Sequence, residues 1–423
     1  MINIIYSILL RIFVVFLIYS NMIKRDIYLD RIAPFIDKPV IKAITGIRRC
    51  GKSTFLKILM NELERRGISP DNIIYINKDS LKFDFIRTYS DLQNYVSEAF
   101  NSDQGKKYLF IDEVQEIGQW ERAVAGFFTD ESADIYITGS NADLLASDLA
   151  RLLTGRYIEI KMNTLIFSEF LTFRNKSKAE KDDEFALFMK YGGFPGIHRM
   201  EFSDEVISQY ISAIYSTILL KDVVTRNQVR DVAMLERIAT YLADNIGNIT
   251  TAKGISNYIK SQQLTCSADT VQNYLQWISQ AYMAHRVSRF DIKGKRQLEL
   301  YDKYFMGDVG FINTILGDKF QDISGKLENV VYLELITRGY KVDIGKLNER
   351  EIDFIAAKGK KKMYIQVAYL LVNEAVIERE FRVLESVKDN HPKIVLSMDK
   401  HFGSERNGIK WFNLVDFLVT PES

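Results

Sequence analysis

Cysteine and proline are scarce in this chain of 423 residues, which has two cysteines, Cys50 and Cys266, and six prolines. Two thiols are too few for a disulfide framework or a structural zinc site, and a reduced, cytoplasmic protein is the expectation. With so little proline, no Gly/Ser-rich tract and no short-period repeat, long flexible linkers and collagen-like or solenoid architectures are excluded. An excess of one charge is also missing. Lys plus Arg number 56 against 55 Asp plus Glu, a net of +1, so the chain is no polycation and any nucleic-acid contact must come from a local patch. The composition is instead 47% hydrophobic and 12% aromatic, which excludes disorder and suits several packed cores. At roughly 100 to 200 residues per domain, two to four domains are expected.

Residues 1–21, MINIIYSILLRIFVVFLIYSN, hold 16 hydrophobic positions and one charge, Arg11. As a helix they would span roughly 30 Å, the hydrocarbon thickness of a bilayer. Against an anchor stand the mid-span charge, the missing basic n-region and the absence of a small-residue cleavage site. Three readings stay open: a membrane anchor, a buried or interfacial helix, and leader sequence upstream of a start at Met22. The last is our expectation, because MIKRDIYLDRIAPFIDKPVIKAITG reads as a short charged helix leading into a strand.

From there apolar strands alternate with amphipathic helices. Strands are expected at Val40–Thr45, Asn72–Ile76, Tyr108–Ile111, Asp134–Thr138 and Tyr157–Lys161, and helices at Ser53–Arg66, Ser90–Phe100 and Gln119–Thr129. The rhythm is that of an open parallel sheet wrapped by helices. Residues 166–248 read as mostly helical, broken by the turn-rich YGGFPG run. Residues 249–318 read as short helices followed by a hairpin, and 319–423 return to mixed α and β, with strands at Ile352–Ala356, Met363–Val367 and Lys393–Ser397.

Gly46-Ile47-Arg48-Arg49-Cys50-Gly51-Lys52-Ser53-Thr54 fits G-x-x-x-x-G-K-[ST], after a strand and at a helix start. Such a loop wraps phosphates with backbone N–H groups, and the helix N-terminus adds partial positive charge. Lys52 would reach the β- and γ-phosphates and Ser53 would be a Mg²⁺ ligand, so ATP with Mg²⁺ is the expected cofactor pair. The apolar strand YLFID ends in two carboxylates: Asp112 would hold Mg²⁺ through water and Glu113 would polarise the attacking water. Thr138-Gly139-Ser140-Asn141 ends another strand, and a polar side chain there could touch the γ-phosphate or cap a helix. Arg156, after the turn in LLTGRY, could stabilise transferring charge in cis or from a neighbouring subunit, or, like Arg151, form a surface ion pair.

Together GIRRCGKST, LFIDEVQEI, YITGSNADLL, LLTGRYIEI, FSEFL, YGGFPG and ILLKDVVTRNQVRD resemble the bacterial and archaeal AAA-type ATPases that carry an uncharacterised C-terminal domain. The resemblance runs from about Met22 to the end. It implies an α/β P-loop NTPase core (an AAA/RecA-like parallel sheet) with an extra strand over 22–165, a helical region over 166–248, a winged helix over 249–318 and a restriction-endonuclease-like α/β tail over 319–423. By motif it implies that Lys52 and Ser53 bind phosphate and Mg²⁺, that Asp112 and Glu113 form the Walker B pair, and that Asn141 is a sensor and Arg156 a finger.

Beyond the ATPase core, ITTAKGISNYIK and SADTVQNYLQWISQAYMAHRV read as a helix-turn-helix, the second helix capped by Ser267, with the following hairpin as a wing. Lys253 to Lys303 carry eight Lys or Arg against four Asp or Glu, a local net of +4. Arg286, Arg289, Lys293, Lys295 and Arg296 are the candidate DNA contacts, with a protein-interaction module as the alternative. In the tail, Glu328, Asp353 and Gln366 resemble the acidic set of a Mg²⁺-dependent nuclease whose lysine position is taken by Ala368, so a degenerate site is expected. A nearby lysine, Lys326 or one of Lys358–Lys362, could substitute. The four histidines show no ligand spacing. The expected function is a cytoplasmic ATPase coupling hydrolysis to rearrangement of its attached domains, plausibly on DNA, with itself or another protein as a possible partner and a membrane only if residues 1–21 are real. The alternatives are a nucleotide-responsive regulatory module with little turnover and a working nuclease.

Overall fold

The computed structural model describes residues 22–100, 105–142, 153, 155–298, 301–317, 322–400 and 405–421. The hydrophobic segment 1–21 and the candidate Arg151 lie outside them. No described helix is long and apolar enough to cross a membrane. Two compact units emerge: the chain up to Gly46 with Gly51–Met162, and Ile47–Cys50 with Asn163–Ser423.

The first unit opens with α1 (Asp26–Ile32) and is built on an all-parallel five-stranded sheet. Its strands are β1 (Ile41–Gly46), β2 (Ile73–Asn77), β3 (Tyr108–Asp112), β4 (Asp134–Gly139) and β5 (Tyr157–Met162), in the order β2-β3-β4-β1-β5. β1, β3 and β4 are buried along their whole length, which is why each reads as a continuous apolar run. Helices α2 (Lys52–Arg65), α3 (Tyr89–Ala99) and α4 (Trp120–Thr129) connect them. α3 starts at a reciprocal cap: Asp91 N donates to Thr88 Oγ1 and Thr88 N to Asp91 Oδ2. Leu92, Val96, Ala123, Val124 and Phe127 seal one sheet face. The strand that separates β1 from β3 is β4, the extra strand that the resemblance implied. At the amino ends of the strands Lys42 is fully buried against Asp134, which also accepts from Tyr136 Oη at 2.8 Å and Asp37 N at 3.0 Å.

The second unit begins with α5 (Phe167–Phe173), α6 (Lys181–Tyr191) and α7 (Asp204–Thr217), which runs into an eight-residue π-helix at Ile218–Thr225, followed by α8 (Val232–Asp244). The YGGFPG run is dictated by close approach. A Cβ on Gly193 would lie 2.1 Å from Leu165 O, and one on Gly192 would lie 1.7 Å from Asp308 Oδ1. Asp308 is buried and accepts from Gly193 N at 2.9 Å and Gly310 N at 2.8 Å; burial nevertheless pushes its carboxyl up to about 6.

Next come β6 (Ile249–Thr250), α9 (Ala252–Ser261), α10 (Ala268–Gln280), β7 (Ala284–Val287), β8 (Arg289–Asp291), β9 (Arg296–Gln297), β10 (Asp302–Met306) and α11 (Gly310–Leu316). Ser267 caps α10 by accepting from Thr270 N at 3.1 Å. β6, β10 and β7 form an antiparallel sheet in that order. The β8–β9 hairpin, expected as a wing, does not belong to it. β8 pairs in parallel with β11 (Lys341–Leu347), making the hairpin the edge of the C-terminal sheet. That sheet has eight strands in the order β15-β16-β14-β13-β12-β11-β8-β9, where β12 is Arg350–Lys358, β13 Lys361–Val367, β14 Lys393–Ser397, β15 Glu405–Arg406 and β16 Ile409–Asn413. The boundary expected at 318/319 is therefore crossed by β8 and β9. An edge strand leaves unpaired backbone groups, and the hairpin covers those of β11. Helices α12 (Ile323–Thr337), α13 (Glu374–Glu385) and α14 (Leu414–Val419) complete the unit.

Candidate nucleotide site

β1, β3 and β4 are neighbours and parallel, so the segments that leave their carboxyl ends meet: the phosphate-type loop after β1, Asp112-Glu113 after β3, Ser140-Asn141 after β4. Gly46 has φ +145° and Gly51 φ +107°, values that L side chains rarely adopt and that let backbone approach a ligand closely. Gly51 ends the loop and α2 begins at Lys52. Ser53 and Thr54 follow in its first turn, where N–H groups have no partners in the helix. The Lys52 side chain is 3% exposed; its Nζ donates to Gly46 O at 2.9 Å and stands 3.7 Å from Glu113 Oε1.

Thr138 ties the two carboxylates together. Its hydroxyl donates to Asp112 Oδ1 at 2.5 Å and accepts from Glu113 N at 2.9 Å. Tyr75 Oη holds Asp112 Oδ2 at 3.0 Å, and Gln115 Nε2 donates to Glu113 Oε2 at 2.5 Å. Glu113 sits at φ +55°, a conformation costing a non-glycine residue about 1 kcal/mol or more, and the Thr138 bond to its N–H helps hold it there. Asn141 and Ser140 are buried at the end of β4, and Ser140 Oγ has no hydrogen-bond partner. A buried orphan hydroxyl, two positive-φ glycines and an ammonium beside paired carboxylates fit a Mg²⁺-nucleotide. Sequence reading found these motifs but gave no role to Tyr75, Gln115 or the Thr138 hydroxyl.

Arg156 lies elsewhere. β5 runs parallel to β1 with Tyr157 opposite Ile41 and Met162 opposite Gly46, so Arg156 is at the amino end of the sheet. Five or six residues of strand, roughly 20 Å, separate it from the loop, beyond the reach of its side chain. It is exposed, its guanidinium 5.7 Å from the Phe128 ring centroid.

Within the second unit, Ile47 and Cys50 are buried, Arg49 has φ +68°, and Arg48 makes a two-pronged pair with Asp222 of the π-helix: Nε to Oδ2 at 2.8 Å and Nη2 to Oδ1 at 2.9 Å. Asp222 lay inside the ILLKDVVTRNQVRD motif without an assigned role.

Of the candidate DNA contacts, Lys293, Lys295 and Arg296 are exposed on the β8–β9 turn. Arg286 is instead paired with Asp302 at 2.7 Å, and Arg289 is largely buried, 3.8 Å from Glu351. Arg289, Arg296, Gln297, Tyr301 and Lys346 line a groove of about 680 Å³.

Glu328 on α12 and Asp353 on β12 are brought together around a lysine that sequence reading did not select. Lys303 of β10 stands 3.3 Å from Glu328, 2.6 Å from Glu351 and 4.0 Å from Asp353. Gln366 Oε1 accepts from Asp353 N at 3.4 Å, and Asp353 Oδ2 accepts from Val367 N at 2.8 Å. Burial pulls the Lys303 ammonium down, but Glu328, Asp353 and Glu351 outweigh it and hold its pKa above the ordinary value. Burial pushes Glu328 up strongly, and Asp353 to about 6. Among the described residues no group of three or more His, Cys, Asp or Glu is arranged to hold a metal ion.

Comparison with known proteins aligns with this layout. A family model of an AAA domain matches residues 38–171, and a model of a domain of unknown function matches 182–322. An uncharacterized protein of Haemophilus influenzae is 37% identical over 401 residues, covering 94% of this chain and 99% of its own length. Another, from Methanocaldococcus jannaschii, is 31% identical over 388 residues, covering 88% and 82%. Among solved structures, a Walker-type ATPase of Pyrococcus abyssi is similar over 70% of this chain and 96% of its own, with a TM-score of 0.47 and 15% identity.

Proposed function

Since the chain belongs to the AAA-type P-loop ATPases with a separate C-terminal domain, the family of its Haemophilus influenzae and Methanocaldococcus jannaschii relatives, we propose that it binds ATP with Mg²⁺ at the carboxyl end of the five-stranded sheet and hydrolyses it there. Lys52 neutralises the β- and γ-phosphates from the start of α2, and its neighbour Ser53 offers a hydroxyl as ligand for the metal. Asp112 holds the metal's water shell. Bound Mg²⁺ supplies charge neutralisation on the phosphate oxygens. Glu113, its carboxylate steadied by Gln115, orients the attacking water and takes its proton. Asn141, buried beside the orphaned Ser140 hydroxyl, senses the γ-phosphate. Arg156 can act only on the site of a neighbouring copy.

The observation that carries this reading is the Thr138 hydroxyl, which fixes Asp112 and Glu113 to each other at the end of adjacent strands. The test is a pair of variants. Lys52→Ala abolishes tight ATP binding, whereas Glu113→Gln keeps binding and slows hydrolysis by about 10²- to 10⁴-fold. A Glu113→Gln protein that turns over like the parent removes Glu113 as the base. The second unit is the part that hydrolysis would rearrange, and its exposed Lys293, Lys295 and Arg296 suit contact with DNA phosphates.

A further inference from the structure

The carboxylates Glu328, Glu351 and Asp353 arrive from two elements, α12 and β12, and Glu351 and Asp353 share one face of β12 by their two-residue spacing. A set of buried carboxylates must have a counter-ion, because an uncompensated charge away from water costs several kcal/mol. Here the counter-ion is part of the chain. The Lys303 side chain is 3% exposed and its Nζ lies between the three carboxylates. Strand β10 presents it rigidly: Met306 N donates to Asn329 Oδ1 at 2.6 Å and Asn329 Nδ2 donates to Met306 O at 3.0 Å. Asn329 immediately follows Glu328, so one clasp between β10 and α12 sets both the ammonium and its first carboxylate. A divalent ion would need oxygens drawn in to about 2.0–2.6 Å, closer than these carboxylates stand around the ammonium.

We propose that Lys303 is a tethered counter-ion that closes this pocket to divalent cations, an autoinhibitory contact between β10 and the C-terminal sheet that opens only when β10 withdraws. The tether matters physically: an ammonium delivered by a packed strand faces its carboxylates at an effective concentration that free millimolar metal does not match. The pocket is charge-balanced by the lysine, so a metal and the lysine exclude each other. β10 also pairs with β6 and β7, the strands flanking the α9–α10 helix pair, so a shift of that three-stranded sheet would carry the ammonium with it.

The experiment counts bound Mn²⁺ per full-length chain by electron paramagnetic resonance, without nucleotide. The parent, Lys303→Arg and Asp353→Asn should hold the same number. Lys303→Met should hold one more, and Lys303→Met with Asp353→Asn should lose it again; thermal unfolding of Lys303→Met should rise by several degrees with Mn²⁺ while that of the parent does not. A folded Lys303→Met protein with no additional Mn²⁺ overturns the proposal. So does a parent whose Mn²⁺ count falls on Asp353→Asn, a comparison that holds even if Lys303→Met fails to fold.

Discussion

Replacing Thr138 by valine changes one oxygen for a methyl group at a fully buried position, and that oxygen makes two bonds. The Glu113 N–H would be left buried without its acceptor, a cost of about 1–3 kcal/mol, and Asp112 would lose a charge-assisted hydrogen bond of similar worth. Asp112 keeps Tyr75 at 3.0 Å, so its carboxylate tilts rather than detaches. Glu113, no longer tied at φ +55°, relaxes and carries its carboxylate away from the water it must orient. A total destabilisation of about 2–4 kcal/mol is expected, read from the urea midpoint. Hydrolysis should fall about 10²-fold, since a displacement of about 1 Å at reacting groups costs that much. KM for ATP should move much less, because Lys52 and the loop are untouched. Thr138→Ser keeps the oxygen and should stay near the parent in both assays. If Thr138→Val hydrolyses ATP within twofold of the parent at an unchanged urea midpoint, the hydroxyl does not organise the site and the grouping of Asp112 with Glu113 has no catalytic meaning.

Neutralising Lys293, Lys295 and Arg296 should weaken DNA binding about equally across sequences and flatten its salt dependence; an affinity unchanged over a salt series favours a protein-interaction role for this region. Gly193→Ala places a Cβ against the backbone oxygen of Leu165 and should destabilise by about 2–4 kcal/mol in chemical unfolding, whereas Gly126→Ala, with open space at its Cβ inside α4, should be neutral or slightly stabilising. His198 is buried beside Phe170, Phe173 and Phe202 with neither ring nitrogen hydrogen-bonded, and burial, helped by the charge of Arg174, draws its pKa down to about 4. The unfolded chain therefore binds a proton between pH 4 and 6.5 that the folded chain refuses, so stability rises with pH across that window by up to about 3 kcal/mol. His198→Phe should remove that slope, and a parent whose urea midpoint is level from pH 4.5 to 7 would refute it.

The strands that sequence reading located are those whose burial is complete. β1, β3 and β4 present unbroken apolar runs because both faces are covered, and nothing in their pattern competes with that reading. β11 and β16 escaped it. KVDIGKL and IKWFN mix charge with apolar residues because each is only partly buried, and their strand character comes from partners distant in sequence. The β8–β9 hairpin was visible as a hairpin, but its partner was not: pairing of Phe290 with Gly345 is a contact over more than fifty residues that no local signal encodes.

The same division separates the functional residues. Lys52, Asp112 and Glu113 were legible because their chemistry is written contiguously at strand ends, and a parallel sheet gathers such ends without further instruction. That rule also removes Arg156 from its own site, since the residue precedes its strand instead of following it. Lys303 obeys no such rule. Proximity in sequence favoured Lys326 and Lys358–Lys362 as stand-ins for the lysine missing at Ala368, yet Lys326 donates to Asn313 and Lys358 to the Arg338 carbonyl. What selects Lys303 is the register of β10 against β7 and the Asn329 clasp, which turn a residue 25 positions before Glu328 into its neighbour. An ammonium with three carboxylate neighbours is held by long-range packing alone, so its removal should be felt at Glu328, Glu351 and Asp353 together and nowhere in the loop that binds phosphate.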